Sequence, residues 1–115
     1  MARPERDPDI EPIDRLLHAL GEPTRRRMIE ALSERPYSLS ALAEPFGITL
    51  TAVAQHLRIL EEAGLVRTEK IGRVRSCQIE HQAFGLLRQW LDDRRSLWER
   101  RLDGLAGLLD EELKP

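Results

Sequence analysis

The 115-residue chain has one cysteine, three histidines and a near balance of charge. It also has no apolar run approaching the roughly 18 residues that a membrane-spanning helix requires. The single Cys77 excludes an intrachain disulfide and a self-contained tetrathiolate zinc site, and it suits a reducing compartment. The opening MARPERDP leads into acids and prolines where a secretory leader would carry an apolar core. These absences make a cytoplasmic protein with no membrane partner the expectation. Lys and Arg number 18 against 20 Asp and Glu, a formal charge of −2, which argues against a nonspecific nucleic-acid coat protein. The sequence holds no repeat, low-complexity segment, phosphate-cradling glycine loop, Ser-His-acid arrangement or paired-carboxylate site. Catalysis therefore has no support, and no cofactor is expected.

With 41% of its residues hydrophobic and 33% charged, the chain can build one modest core. Residues 1–12 carry Pro4, Pro8 and Pro12 among acids and read as a flexible tail, leaving one domain over 13–115. Ile13, Leu16, Leu17 and Leu20 recur at helical spacing before Gly21. Pro23 opens a second helix in which Met28, Ile29 and Leu32 form the apolar face and Arg25, Arg26 and Arg27 are directed elsewhere. Ser38 caps a short helix closed by Gly47. Thr49 caps the next helix, Leu50 to Ala63, with Leu50, Val53, Leu57 and Leu60 on one face. Two short helices about a glycine-containing turn are the helix-turn-helix arrangement.

The segments 65–71 and 74–79 alternate around Gly72-Arg73 and read as a β-hairpin. The spacing then predicts a helix over about 81–112, with Phe84, Leu87, Leu91, Trp98, Leu102, Leu105 and Leu109 along a stripe. The expected fold class is mainly α with a small β-hairpin: a winged helix-turn-helix domain that dimerises through its N- and C-terminal helices.

If Val53, Leu57 and Leu60 pack inward, Thr51, Ala52, Gln55, His56 and Arg58 lie on the other side of the helix or its flanks. Gln pairs with adenine through two hydrogen bonds, Arg pairs with guanine or holds a phosphate, and Thr or Ala touches a thymine methyl. The bland reading of this face is simple solvation, and the flanking short helix and basic hairpin argue against it. In the hairpin, Arg67, Lys70, Arg73 and Arg75 stand against Glu69 alone. They suit phosphate or minor-groove contact, or protection of a strand edge from aggregation. For Arg25, Arg26 and Arg27, contact with a DNA backbone, a solvated face and intramolecular pairing all remain open.

The strings ALGEPTRRRMI (residues 19–29), LSALA (39–43) and VAQHLRILEEAGLV (53–66) closely resemble the ArsR family of bacterial winged-helix repressors, over roughly residues 13–111. The resemblance implies a homodimeric transcriptional repressor on a twofold-symmetric DNA operator. It places groove-facing positions at Thr49, Thr51, Ala52, Gln55 and His56, with Arg58 close by and Ala54 where many members carry serine. Many such proteins sense metals through paired cysteines on the helix before the recognition helix, but here that segment is SALAEP (40–45), with no thiol or imidazole. A second family site draws Asp, His and Glu ligands from the C-terminal helix. After His81 this helix has no histidine to join Asp92, Asp93 or Glu99, so no metal is expected.

Cys77 reads as a small half-buried hydrophobe, with an intersubunit disulfide or sulfenic acid as the redox alternative. His18, His56 and His81 are scattered and read as local hydrogen-bonding residues. Leu91, Trp98 and Leu105 recur every seven residues, as a helix-against-helix seam requires. The expected dimer interface comprises Leu91, Trp98, Leu102, Leu105 and Leu109, and the resemblance implies that Ile13, Leu16, Leu17 and Leu20 from the first helix complete it. Alternatives from other classes are a protein-interaction module that uses the Trp-bearing helix, and a metal- or redox-responsive repressor. By segment, residues 1–14, 15–80 and 81–115 carry net −3, +2 and −1, so the mild acidity belongs to the tail and the last helix and not to the winged helix.

Overall fold

Proline and glycine punctuate the chain and set most of its element boundaries. The computed structural model describes residues 11–113; the first ten residues of the expected tail lie outside them. Pro12 and Pro23 stand in the first turns of α1 (Pro12–Leu20) and α2 (Pro23–Glu34), where a missing N–H costs nothing. The Glu22 carboxylate accepts the Arg25 backbone N–H at 2.9 Å and caps α2. After Pro36 comes a two-residue strand β1 (Tyr37–Ser38), then α3 (Leu39–Ala43), capped by Ser38 Oγ accepting from Ala41 N–H at 3.1 Å.

A 3-10 turn, Glu44–Phe46, ends at Gly47 with φ +62°, a left-handed conformation that glycine adopts without strain. The chain then enters α4 (Leu50–Glu62), where Thr49 Oγ1 accepts from Ala52 N–H at 3.1 Å. The end of α4 is a Schellman motif. Gly64 sits at φ +78°, its N–H reaches Glu61 O, and Leu65 N–H reaches Leu60 O. Leu60 and Leu65 are both fully buried, which supplies the apolar contact that accompanies this motif.

The wing is β2 (Val66–Ile71) and β3 (Val74–Ile79), paired antiparallel from Val66↔Ile79 to Ile71↔Val74. Gly72 has φ +63° and Arg73 does not have positive φ, the signature of a two-residue type II′ turn. The sheet has three strands, with β3 in the middle and β1 on its far edge through Tyr37↔Cys77 and Ser38↔Ser76. Alternation alone does not reveal β1, because two residues are too few to display a period.

The core gathers Leu16 and Ala19 of α1, Met28, Ile29 and Leu32 of α2, Leu42 of α3, Val53, Leu57 and Leu60 of α4, and Val66 and Cys77 of the sheet. The last helix, α5 (His81–Leu113), seals it with Ala83, Phe84 and Leu87. From Leu91 onward every described residue of α5 is exposed, so the distal helix leaves the body of the domain. Gly104 and Gly107 lie within this helix and do not break it. Among the described residues no helix is long and apolar enough to cross a membrane.

Three expectations need correction. Leu50 is not part of the buried face of α4: it is half exposed, because at the first helical position it precedes the body against which Val53 and Leu57 pack. Arg25 is directed inward and is buried with Met28 and Ile29. Leu16, assigned to the dimer interface, is only 1% exposed within its own chain and has no surface left for a second one.

Candidate nucleic-acid interface

The outer face of α4 follows from which of its residues are buried. Val53, Leu57 and Leu60 face the core, so at roughly 100° per residue Thr51, Gln55 and Arg58 occupy the opposite side and Ala54 a flank; these four are exposed, and so is Leu50, which shares the phase of Leu57 but stands at the first position of the helix. Thr49 is exposed at the N-terminus of the helix. Its oxygen is used in the cap, leaving the O–H free to donate. Arg58 Nε donates to Glu62 Oε1 at 3.2 Å, an exposed i,i+4 pair one turn beyond Gln55. Leu50 was not among the candidate groove residues, and Ala54 entered only as the position where many members of the family carry serine; exposure, not helical phase, adds Leu50 to this surface.

Two of the expected groove residues lie on the flank of α4. Ala52 is half-buried on the flank of α4. His56 turns toward the junction of α1 and α2, with Nδ1 3.4 Å from Arg25 Nη1 and 3.8 Å from Glu22 Oε2. Arg25 also donates from Nε to Ala19 O at 2.7 Å and from Nη2 to His18 O at 3.3 Å. One guanidinium thus satisfies the carbonyls at the end of α1 and meets the imidazole of α4, while the Arg25 backbone N–H holds the Glu22 carboxyl below the ordinary carboxylate range. This cluster couples α1, α2 and α4 and is internal. Of the arginine run, Arg26 donates to Leu20 O at 2.7 Å from an exposed position, and Arg27 is exposed.

Lys70, Arg73 and Arg75 are exposed at the distal end of the wing. Lys70 and Arg75 face each other across the strands, and Arg75 donates from Nε and Nη2 to Thr68 Oγ1, both at 3.3 Å. Among the described residues no ion pair neutralises these three cations. Ile71 and Val74, which flank the turn, are 61% and 52% exposed. Cys77 lies fully buried in the central strand, where desolvation pushes its thiol pKa up, followed by the charge of Glu61, with Arg75 opposing. The redox alternative is therefore disfavoured by geometry, since the thiolate is the reactive form. Among the described residues no three His, Cys, Asp or Glu side chains converge.

Of the remaining interface expectations, Leu17 is exposed and Ile13 and Leu20 are partly buried against the core. Leu91, Trp98, Leu102, Leu105 and Leu109 are all exposed along distal α5.

A short helix, a glycine turn, a second helix with a free outer face and a basic two-stranded wing define a winged helix-turn-helix domain, the architecture of DNA-binding transcriptional regulators. Residues 20–69, from the end of α1 into β2, match the family model described as a helix-turn-helix domain. The chain is 36% identical over 99 residues to the HTH-type transcriptional regulator Rv2034 of Mycobacterium tuberculosis, covering 86% of this chain and 90% of that one. A crystal structure of the ArsR family transcriptional regulator RHA00566 superposes with a TM-score of 0.72 at 40% identity, covering 76% of this chain and 91% of the other. The solution structure of the homodimeric winged helix-turn-helix domain of Mb0332 from Mycobacterium bovis, a possible ArsR-family regulator, superposes with a TM-score of 0.60 at 25% identity, covering 72% and 81%. The chain belongs to the ArsR family of winged helix-turn-helix transcriptional regulators. Its relatives are regulators and not enzymes.

Proposed function

We propose that the chain is a homodimeric repressor that binds a twofold-symmetric operator, with α4 of each protomer entering successive major grooves about one helical turn apart. In this reading Thr51 and Gln55 face base edges, Thr49 and Arg58 meet the backbone, and Lys70, Arg73 and Arg75 of the wing hold phosphate or the minor groove. Ile13, Leu17 and Leu20 of α1 and the stripe from Leu91 to Leu109 of α5 form the dimer seam. Repression follows from occupancy, because a dimer spanning two grooves blocks a promoter that overlaps its site.

The observation that carries this reading is the uncovered α5 stripe: Leu91, Trp98, Leu102, Leu105 and Leu109 are each about half exposed on a helix that leaves its own domain. Exposed apolar surface of this extent marks an interaction site, and a 3-4 spacing of large residues suits a helix of like sequence. The homodimeric state of the Mycobacterium bovis domain supports the same assembly. An interaction module for a different protein is the competing reading. The test is binding to the DNA upstream of the chain's own gene, followed as a function of salt, together with a light-scattering mass. A stable dimer whose affinity falls steeply with salt, consistent with roughly 6–10 phosphate contacts, is expected. Gln55→Ala should relax base preference more than it lowers the salt slope. A monomer, or binding no tighter than to random duplex, contradicts the proposal.

A further inference from the structure

We infer that α4 reads thymine methyl groups, so that the sequence under its first two turns is A·T-rich. The inference rests on the reading of the chain as a site-specific DNA-binding dimer and adds the chemistry of the bases it selects.

The exposed residues of those two turns are Leu50, Thr51, Ala54 and Gln55. Three of the four end in methyl groups, and Leu50 leaves half of its surface in water although it opens a helix whose first core residue, Val53, is fully buried. Such an exposure is unfavourable in the free chain and is relieved when an apolar partner covers it. In the major groove the one apolar group on a base edge is the C5-methyl of thymine; a G·C pair presents none.

Gln55 is the only side chain of the set with a donor and acceptor side by side, the pattern that matches adenine N6 and N7. The residues that read guanine are missing here. Neither Lys nor Arg occurs between Thr49 and Leu57. Arg58, a turn further on, is held by Glu62 at 3.2 Å, and that carboxylate lies on the same outer face. Lys70, Arg73 and Arg75, which no acid pairs among the described residues, are on the wing, where they meet phosphates without regard to sequence. Leu50, Thr51, Ala54 and Gln55 therefore discriminate T·A from G·C by burying methyls and pairing adenine.

The experiment selects duplexes from a random library synthesised with thymine, using the full-length chain, and then remakes the best duplex with uracil at single half-site positions. Uracil keeps the pairing and removes only the methyl. Loss of one contacted methyl in each of two half-sites is expected to weaken binding about 15-fold, from about fourfold per methyl. Leu50→Ala and Thr51→Ser should bring the thymine-to-uracil ratio toward one at the positions they contact. Arg75→Ala should lower affinity for both duplexes alike.

Equal binding of thymine and uracil duplexes, a G·C-rich consensus, or a thymine preference that survives both α4 substitutions overturns the inference while leaving the dimeric DNA reader intact. A library that enriches nothing overturns that underlying reading, and this inference with it.

Discussion

Arg25 and its neighbours Arg26 and Arg27 are identical in the sequence and different in the molecule. Arg25 is buried and donates to two carbonyls at the end of α1, Arg26 makes one exposed bond to Leu20 O, and Arg27 is exposed. A charged side chain is buried only where acceptors wait for it, and here they are the carbonyl oxygens of a helix end that would otherwise lack partners. Arg25→Ala leaves those carbonyls and His56 without their donor and should cost about 2–4 kcal/mol in chemical denaturation. Arg27→Ala should change stability by less than about 0.5 kcal/mol. Glu22 sets a pH dependence in the same cluster. Its folded pKa lies below the ordinary glutamate value of 4.5, chiefly because the Arg25 N–H binds the ionised form. Its contribution is therefore present above that value and disappears as pH falls through the lower folded one. Glu22→Gln should flatten stability against pH in this acidic window, read from denaturation midpoints between neutral pH and pH 3. None of these differences was legible in the run of three arginines, because burial of Arg25 depends on where α1 ends. His56 shows the same dependence: helical phase puts it on the flank of α4, and the packing of α1 and α2 decides which flank is covered.

Elements were more legible than residues, since local chemistry punctuates them. Pro23, Ser38, Gly47, Thr49, Gly64 and Gly72 each mark a boundary that backbone geometry demands, and the hairpin register follows from the type II′ turn. The missed element, β1, has two residues and exists only because β3 offers it an edge. Within α1, Leu16 and Leu17 are both apolar and adjacent, and sequence pattern gives no means of deciding which enters the core. The structure buries Leu16 and leaves Leu17 43% exposed, which narrows the α1 part of the proposed seam. At this scale the caps are the most direct test. Ser38→Ala removes the acceptor for Ala41 N–H and should cost about 1 kcal/mol in denaturation. It should leave the salt dependence of DNA binding unchanged, because the substitution removes no charge and the Ser38 oxygen is engaged in the α3 cap. Thr49→Ala should cost a similar amount and also weaken DNA binding.

The whole molecule is a compact domain with a long helix that its own chain does not cover. The first turns of α5 belong to the core through Ala83, Phe84 and Leu87, and every described residue beyond Trp90 is exposed. At about 1.5 Å per residue, those distal turns extend on the order of 30 Å. In the proposed dimer a second copy placed along them would bury Trp98 and the leucines and fix the separation of two α4 helices, making one specific reader of two weak ones. Trp98→Glu puts a charge in the seam and should shift the light-scattering mass from two chains to one, with helix content by circular dichroism little changed because the position is exposed in the single chain. The near-neutral charge fits this economy: a dimer that reads two half-sites does not need a uniformly basic surface, only basic wings where phosphates lie.

The central claim, that two copies of this chain read one symmetric site, is tested most directly by the mass of the complex formed on the duplex upstream of its own gene, at physiological salt and with random duplex in excess. The account predicts two chains on one duplex. A complex containing a single chain, or no complex that survives the competitor, would contradict it.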